Sequence, residues 1–379
     1  MITAGISIKM IPSGKKLINF QPAISKKTEV KNPQEEKVIK IGLLLPNPPD
    51  QDPLALAAKQ GAELAIMQAN EIGGFDGKSF KIVIRTANGL WGAGSKESVK
   101  FIFEDEVVAI ITALDGRNAH LAEQVAAKSH IVQLATRATD ETLSQAFVPW
   151  FFRIVPNDKQ QAEALIEEIY YKRSLRKLYV IYEDEYDHKM AAETFKRIAI
   201  KKDLELIGFR SYSSTSSNTT VNSIHNYTQA IIFFGSYNLA RPVLDNIKMA
   251  NSEVQIFGPL SMTADGLIGS GFSTGCEGGI FVSSKFCFTT HGQEFKNIFL
   301  DTYENMPNPA ASYTYDGVKL IIEAIRKAGT DRDKIRDVLA DIEYSNGATG
   351  PIQFDDHGNR TSPVFMIQMI KGHPVILHR

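Results

Sequence analysis

The chain has 379 residues, beyond the roughly 250–300 at which a single core stops growing, so two globular lobes are expected. Its 42 basic and 43 acidic residues leave a net charge of -1, which gives no field to attract a polyanion and sets nucleic acid aside as a partner. The longest apolar run near a strand, Ile41 to Pro46, falls far short of the roughly 18 residues that span a bilayer, so the chain reads as soluble.

Residues 1–37 read as a flexible tether, because Lys26 to Lys37 (KKTEVKNPQEEK) is charged, Pro-broken and free of aromatics. No apolar core of a secretory leader is visible there, so export is not readable from it. VIKIGLLL (38–45) follows as a strand, and Pro53 suits the first turn of a helix that runs on through LALAAKQGAELAIMQAN. The unit repeats: strand 80–86, helix Gly94 to Glu104, strand 107–112, helix Asn118 to Lys128, strand 130–135. Such βαβ alternation builds parallel sheets whose ligands bind at the carboxyl ends of the strands.

A second series starts after VPWFFRIVP (148–156): helix Gln160 to Tyr171, strand 177–182, helix His188 to Lys201 and strand 204–209. The Ser/Thr run SYSSTSSNTT is expected to be a surface loop before a weak helix, then strand 229–235, helix Asn238 to Ala250 and strand 254–259. The last third offers strand 278–284, helices Gln293 to Glu304, Ala310 to Ala328 and Lys334 to Ile342, and two alternating runs around DDHGNR. That string reads as a hairpin turn with Gly358 and Asn359 able to take φ > 0.

Cys276 and Cys287 are the chain's two cysteines; a disulfide and a pair of buried thiols are both open, the thiols being the plainer reading. No CxxC or HExxH spacing points to a metal, and no cofactor is expected.

KIGLLLP, GAELAIMQANEIGGFDGKSFKIVIR, VVAIITALDGRNAHLAEQVAAKSHIVQLATRAT, EDEYDHKMAAETF, IIFFGSY, QIFGP, ASYTYDGVKLIIEAI and GPIQFDDHGNR together resemble the type I periplasmic binding proteins. The likeness is to the substrate-binding subunits of branched-chain amino-acid ABC transporters and covers about Val38 to Val375. It implies the periplasmic binding protein-like I fold of class α/β: two doubly wound parallel-sheet lobes joined by a three-strand hinge. Residues 38–153 with 284–347 would form one lobe and 154–283 with 348–379 the other. The hinge would fall near Phe152 to Pro156, Gly279 to Lys285 and Ala348 to Phe354.

The resemblance also implies a site. Asp115, Gly116, Arg117 and Asn118 stand in the loop after the third strand, where amide groups at a helix start would take a carboxylate; an ordinary helix cap is the competing reading. Arg137, Ala138 and Thr139 match the next loop, Arg137 standing where a small residue is expected; it is either a cleft cation for an anionic group or a solvated loop charge. Tyr186 and Tyr237 match aromatics of the second lobe that cover the ligand, and for each a packing role competes. Leu260 stands where amino-acid binders place an acid for the ammonium group, and a buried ammonium without one costs several kcal/mol. Asp50, Asp52, Asp115, Glu183 or Asp184 could substitute, or the ligand is an amide, an organic acid or an aromatic compound. Trp91 and Trp150 are further candidates to line the cleft, with packing the commoner use of a lone tryptophan.

The expected function is capture of an amino acid, amide or small carboxylate by a monomer outside the cytoplasm, without chemistry, for a membrane ABC permease. A sensing or regulatory module of the same fold, such as an activator of a cell-wall synthase, is the alternative. A serine hydrolase built on Gly271-Phe272-Ser273-Thr274-Gly275 with Asp316 and His357 is a remote one, because Ser273 does not stand between a strand and a helix. No dinucleotide fingerprint follows the first strand, where PNPPDQ stands.

Overall fold

A computed structural model describes residues 38–88, 92–145, 148–213, 224–267 and 274–377. The expected tether, Trp91, Ser273 and most of the Ser/Thr run with the weak helix after it lie outside these residues.

The β-branched runs become strands β1 (Val38–Leu45), β2 (Ser79–Thr86), β3 (Ala109–Thr112), β4 (Val132–Ala135) and β5 (Phe151–Arg153). They pair in the order β2-β1-β3-β4-β5, all parallel. The second sheet holds β6 (Leu178–Glu183), β7 (Leu206–Tyr212), β8 (Ala230–Phe234), β9 (Gln255–Gly258), β10 (Ile280–Val282), β11 (Met366–Ile370) and β12 (His373–Ile376). Its order is β12-β11-β10-β9-β8-β6-β7, with β6 to β10 parallel and the β11–β12 hairpin antiparallel at the edge.

In both sheets the first strand of the series lies between the second and the third. The winding therefore reverses between β1 and β3, and again between β6 and β8. A reversal leaves a crevice beyond the carboxyl ends of those strands, because the flanking loops part to opposite faces. The crevice falls beside the residues just after β3, β4, β6 and β8.

The helices are α1 (Pro53–Glu71), α2 (Ala93–Phe103), α3 (Gly116–Lys128), α4 (Asp158–Ile166, continued by a π-helical turn Glu167–Lys172), α5 (Tyr186–Lys201), α6 (Tyr237–Ala250), α7 (Thr290–Tyr303), α8 (Pro309–Ala328) and α9 (Arg332–Ala340). Several begin earlier than the apolar periodicity suggests: α3 at Gly116 rather than Asn118, α5 at Tyr186 rather than His188. Polar caps set these starts, with Asp115 accepting from Asn118 N–H and Glu185 from Asp187 N–H. An acceptor at the cap extends a helix beyond its apolar stripe.

α1 and α8 approach closely at Gly61, where a Cβ would lie 2.2 Å from the Ala311 carbonyl oxygen. α8 then reaches the connecting segments by three buried contacts. The Ser312 and Ser284 hydroxyls lie 3.1 Å apart, as do those of Thr314 and Thr136. Asp316 accepts from Ala348 N–H, Thr349 N–H and the Thr349 hydroxyl at 2.8, 2.8 and 2.6 Å.

Two buried arginines tie the same region. Arg153 donates to the Asp140 carbonyl at 2.6 Å, to Ser144 Oγ at 2.9 Å and to Asn359 Oδ1 at 2.5 and 3.2 Å. Arg360 donates to Ile154 O, Thr349 Oγ1 and the carbonyls of Thr349, Gly350 and Pro351. In the turn between them Gly358 takes φ +73°, and a Cβ there would meet Phe151 O at 2.0 Å. Asn359, which could also take φ > 0, does not do so and is buried as an acceptor for Arg153. Cys276 and Cys287 are free thiols; burial pushes them up to about 12 and about 11, so both stay protonated.

Candidate ligand cleft

Beyond β3 the chain turns at Asp115, whose carboxylate accepts from Asn118 N–H and Asn118 Nδ2, each at 2.8 Å. Asp115–Asn118 is therefore a helix cap. The cap leaves the Gly116 amide, and across the crevice Asp187 meets it: Gly116 N–H donates to Asp187 Oδ1 at 2.9 Å and Oδ2 at 3.2 Å. A Cβ on Gly116 would lie 2.8 Å from Asp140 Cβ and 3.1 Å from Asp187 Oδ1, so glycine is what admits both acids. Beside this bond the Arg117 guanidinium lies over the Tyr186 ring at 4.5 Å. Further along the same faces Arg197 on α5 pairs with Glu141, which follows β4. Three contacts thus join the loops of the first sheet to α5 of the second.

The β4 loop brings Arg137, Ala138 and Thr139 to the same place. Thr139 O accepts from Asp158 N–H at 2.8 Å, which seats the start of α4 against this loop. Burial lifts the Asp158 carboxyl to about 7, with the Thr139 hydroxyl opposing and Asp187 and Asp140 adding to the rise. Burial, then Glu185 and Asp115, raise Asp187 likewise to about 7, against the pull of Gly116 N–H and Arg137. Burial also works to raise Asp140, but hydrogen bonds from His120 and Thr142 outweigh it and hold its carboxyl below the usual range. Hydrogen bonds to Asp140 and then Glu123 push His120 up to about 9. The cleft is therefore rich in carboxylates, and Asp158 and Asp187 sit there at an electrostatic cost.

In the second lobe Glu183, at the end of β6, accepts from Ser236 N–H at 3.0 Å and lies 3.2 Å from His188 Nδ1. These partners outweigh the rise that burial causes and keep Glu183 ionised at neutral pH. Tyr237 follows Ser236, but its side chain is 1% exposed and packs in the core of that lobe. Leu260 is also buried in a core cluster, and its N–H donates to Gln161 Oε1 at 2.8 Å. Asp52 caps α1, while Asp50 and Asp184 are exposed.

The structure thus brings Asp115, Gly116, Arg117, Asn118, Arg137, Thr139 and Tyr186 to facing loops, while Ala138, Tyr237 and Leu260 are buried in core clusters. Trp150 stacks on His130 at 5.1 Å and under Arg336 at 4.8 Å, a packing role. Asp316, the acid of the hydrolase alternative, is spent on the amides of Ala348 and Thr349. Sequence reasoning missed Asp140, Asp158 and Asp187. Each stands in the first turn of a helix or caps one, where an acid is ordinary, and only the register of facing loops turns them inward. Among the described residues no group of three or more His, Cys, Asp or Glu could hold a metal ion, and no helix is long and apolar enough to cross a membrane.

Comparison with known proteins agrees with the fold. The substrate-binding protein LivJ of Streptococcus pneumoniae, solved with isoleucine, superposes with TM-score 0.74 at 19% identity, covering 90% of this chain and 100% of that one. A solute-binding protein of an ABC transporter from Rhodopseudomonas palustris, solved with 3,4-dihydroxybenzoic acid, gives TM-score 0.77 at 16% identity over 90% and 96% of the two chains. At these identities the likeness is one of fold. Glutamate receptor 3.4 of Arabidopsis thaliana is 22% identical over 318 residues, which are 72% of this chain and 32% of the receptor. Glutamate receptor 3.7 of the same plant is 38% identical over 68 residues, 18% of this chain and 7% of that receptor. The chain thus spans about a third or less of the curated relatives it matches. The family model described as "Periplasmic binding protein" matches residues 38–374, and with its two α/β lobes and facing strand-end loops the chain belongs to the periplasmic binding protein family.

Proposed function

We propose that this protein captures a small polar solute bearing a carboxylate in the crevice between the β3 and β4 loops and the start of α5, and delivers it in closed form to a membrane ABC permease outside the cytoplasm. Residues 38–153 with 284–347 act as one lobe and 154–283 with 348–379 as the other. The observation that carries this reading is that the Gly116 amide at the start of α3 already holds a carboxylate, that of Asp187, from across the crevice. A site that seats one carboxylate on a helix N-terminus has the donor and the local field to seat another.

A bound amino acid needs a counter-charge for its ammonium, and Leu260 offers none. Asp158, buried beside Thr139 with a carboxyl raised to about 7, supplies it here, since a cation placed against it relieves the cost of its burial. Arg117 over Tyr186 makes a lid whose ring faces the solute's apolar part. An aromatic acid would need only the carboxylate seat and this ring, so amino acids and benzoates are the two classes to test first.

Thermal unfolding of the full chain against the proteinogenic amino acids, their primary amides and a set of benzoates tests the reading. At 100 times its dissociation constant a ligand should stabilise by about 2.7 kcal/mol, a clear rise in midpoint. If carboxylates leave the midpoint unmoved while amides or amines raise it, the carboxylate seat is wrong. If nothing raises it, the sensing or regulatory alternative takes its place.

A further inference from the structure

The seat expected for a ligand carboxylate is filled by the chain itself. Asp187 is the second residue of α5, and the acid in that position ordinarily serves the amides of its own helix. Its side chain turns away instead. Glu185 accepts from Asp187 N–H at 3.1 Å, and the Asp187 carboxylate faces the Gly116 amide of the other lobe with both oxygens within 3.2 Å. The charge and the two-oxygen approach are those of a bound carboxylate. The Arg117–Tyr186 stack and the Glu141–Arg197 pair run alongside, so the bond belongs to a set that holds the two lobes against each other.

Resting on the carboxylate-binding reading above, the geometry points to Asp187 as an internal stand-in for the ligand: it latches the lobes when the cleft is free, and a ligand carboxylate must take its place on Gly116. The seat accommodates one anion at a time, since a Cβ on Gly116 would already meet Asp140 Cβ at 2.8 Å and Asp187 Oδ1 at 3.1 Å, which leaves no room for a second carboxylate beside them. Displacement is eased because Asp187 lies close to Glu185 and Asp115 and gains solvent when it leaves. Two consequences follow. Apparent affinity for carboxylates is reduced by the fraction of molecules that are latched. Solutes without a carboxylate leave the latch in place, so the same residue selects for the anion.

Hydrogen exchange resolved at the Gly116 amide, in the ligand-free full chain, tests the latch without any ligand. Asp187→Ala should speed exchange at Gly116 by about tenfold, as loss of a charge-assisted hydrogen bond implies. Asp187→Asn keeps an acceptor oxygen and the side-chain volume, so it should fall between wild type and alanine and shows whether alanine disturbs the fold. In the second arm the tightest-binding carboxylate of the panel should bind Asp187→Ala more tightly than wild type, by up to about tenfold for removal of one competing bond of this strength. Unchanged exchange at Gly116 in Asp187→Ala overturns the latch. Unchanged or weaker carboxylate binding overturns the displacement, weaker binding making Asp187 a ligand contact instead. A panel without any binder removes the binding reading but leaves the exchange arm to decide the latch alone.

Discussion

Arg153→Met should cost about 3–5 kcal/mol of unfolding free energy, the loss expected when one partner of a buried charged network is removed. Arg153 has no exposed surface, and burial pulls its guanidinium down to about 10. Methionine fills much of the volume but donates nothing. The Asp140 carbonyl and Ser144 Oγ lose the donor that Arg153 gives them, and Asn359 Oδ1 keeps only Asn157 Nδ2 at 3.5 Å; a stranded buried acceptor costs about 1–3 kcal/mol. The same guanidinium is coupled electrostatically to Asp158 and Asp140 in the cleft, so the variant should also shift binding. Arg153→Lys keeps the charge without the planar fork and should recover less than half of the loss. Denaturant unfolding monitored by circular dichroism measures both variants. A loss under about 1 kcal/mol for methionine would mean that the network is not what joins β5 to the 358–360 turn.

Gly61→Val should be nearly as damaging, at about 3 kcal/mol for overpacking a closed contact. A Cβ at Gly61 would stand 2.2 Å from the Ala311 carbonyl oxygen and 3.0 Å from its carbon, so α1 and α8 must separate. Backbone does not yield as a flexible side chain does. The strain reaches further because Ser312, Thr314 and Asp316 lie within the next turns of α8 and bond to Ser284, Thr136 and Thr349. Gly61→Ala should show a smaller loss in the same direction, and a valine variant as stable as wild type would show that α8 shifts freely. The same denaturant titration separates these outcomes.

The alternation of strand and helix was legible over most of the described residues because it rests on local periodicity, with the short strands β5 and β12 missed, and the loops at Asp115–Asn118 and Arg137–Thr139 could be placed at strand ends for the same reason. Helix starts were less legible, since Asp115 and Glu185 extend α3 and α5 past their apolar stripes. The acids of the cleft were not legible. Asp187 meets Gly116 across 71 positions and Arg153 meets Asn359 across 206, and no local signal distinguishes such an acid from a solvated first-turn residue. Tyr237 and Leu260 show the converse limit. A residue can stand at the expected strand end and still have its side chain turned into the core, as both do.

Backbone hydrogen exchange with and without the tightest-binding carboxylate of the panel tests most directly whether the solute lies between the lobes. Added protection should fall together on residues 114–118, 137–140 and 184–188, from both lobes at once. Protection confined to one lobe, or centred on the groove lined by Lys172, Lys285, Phe365 and Met366, would contradict it.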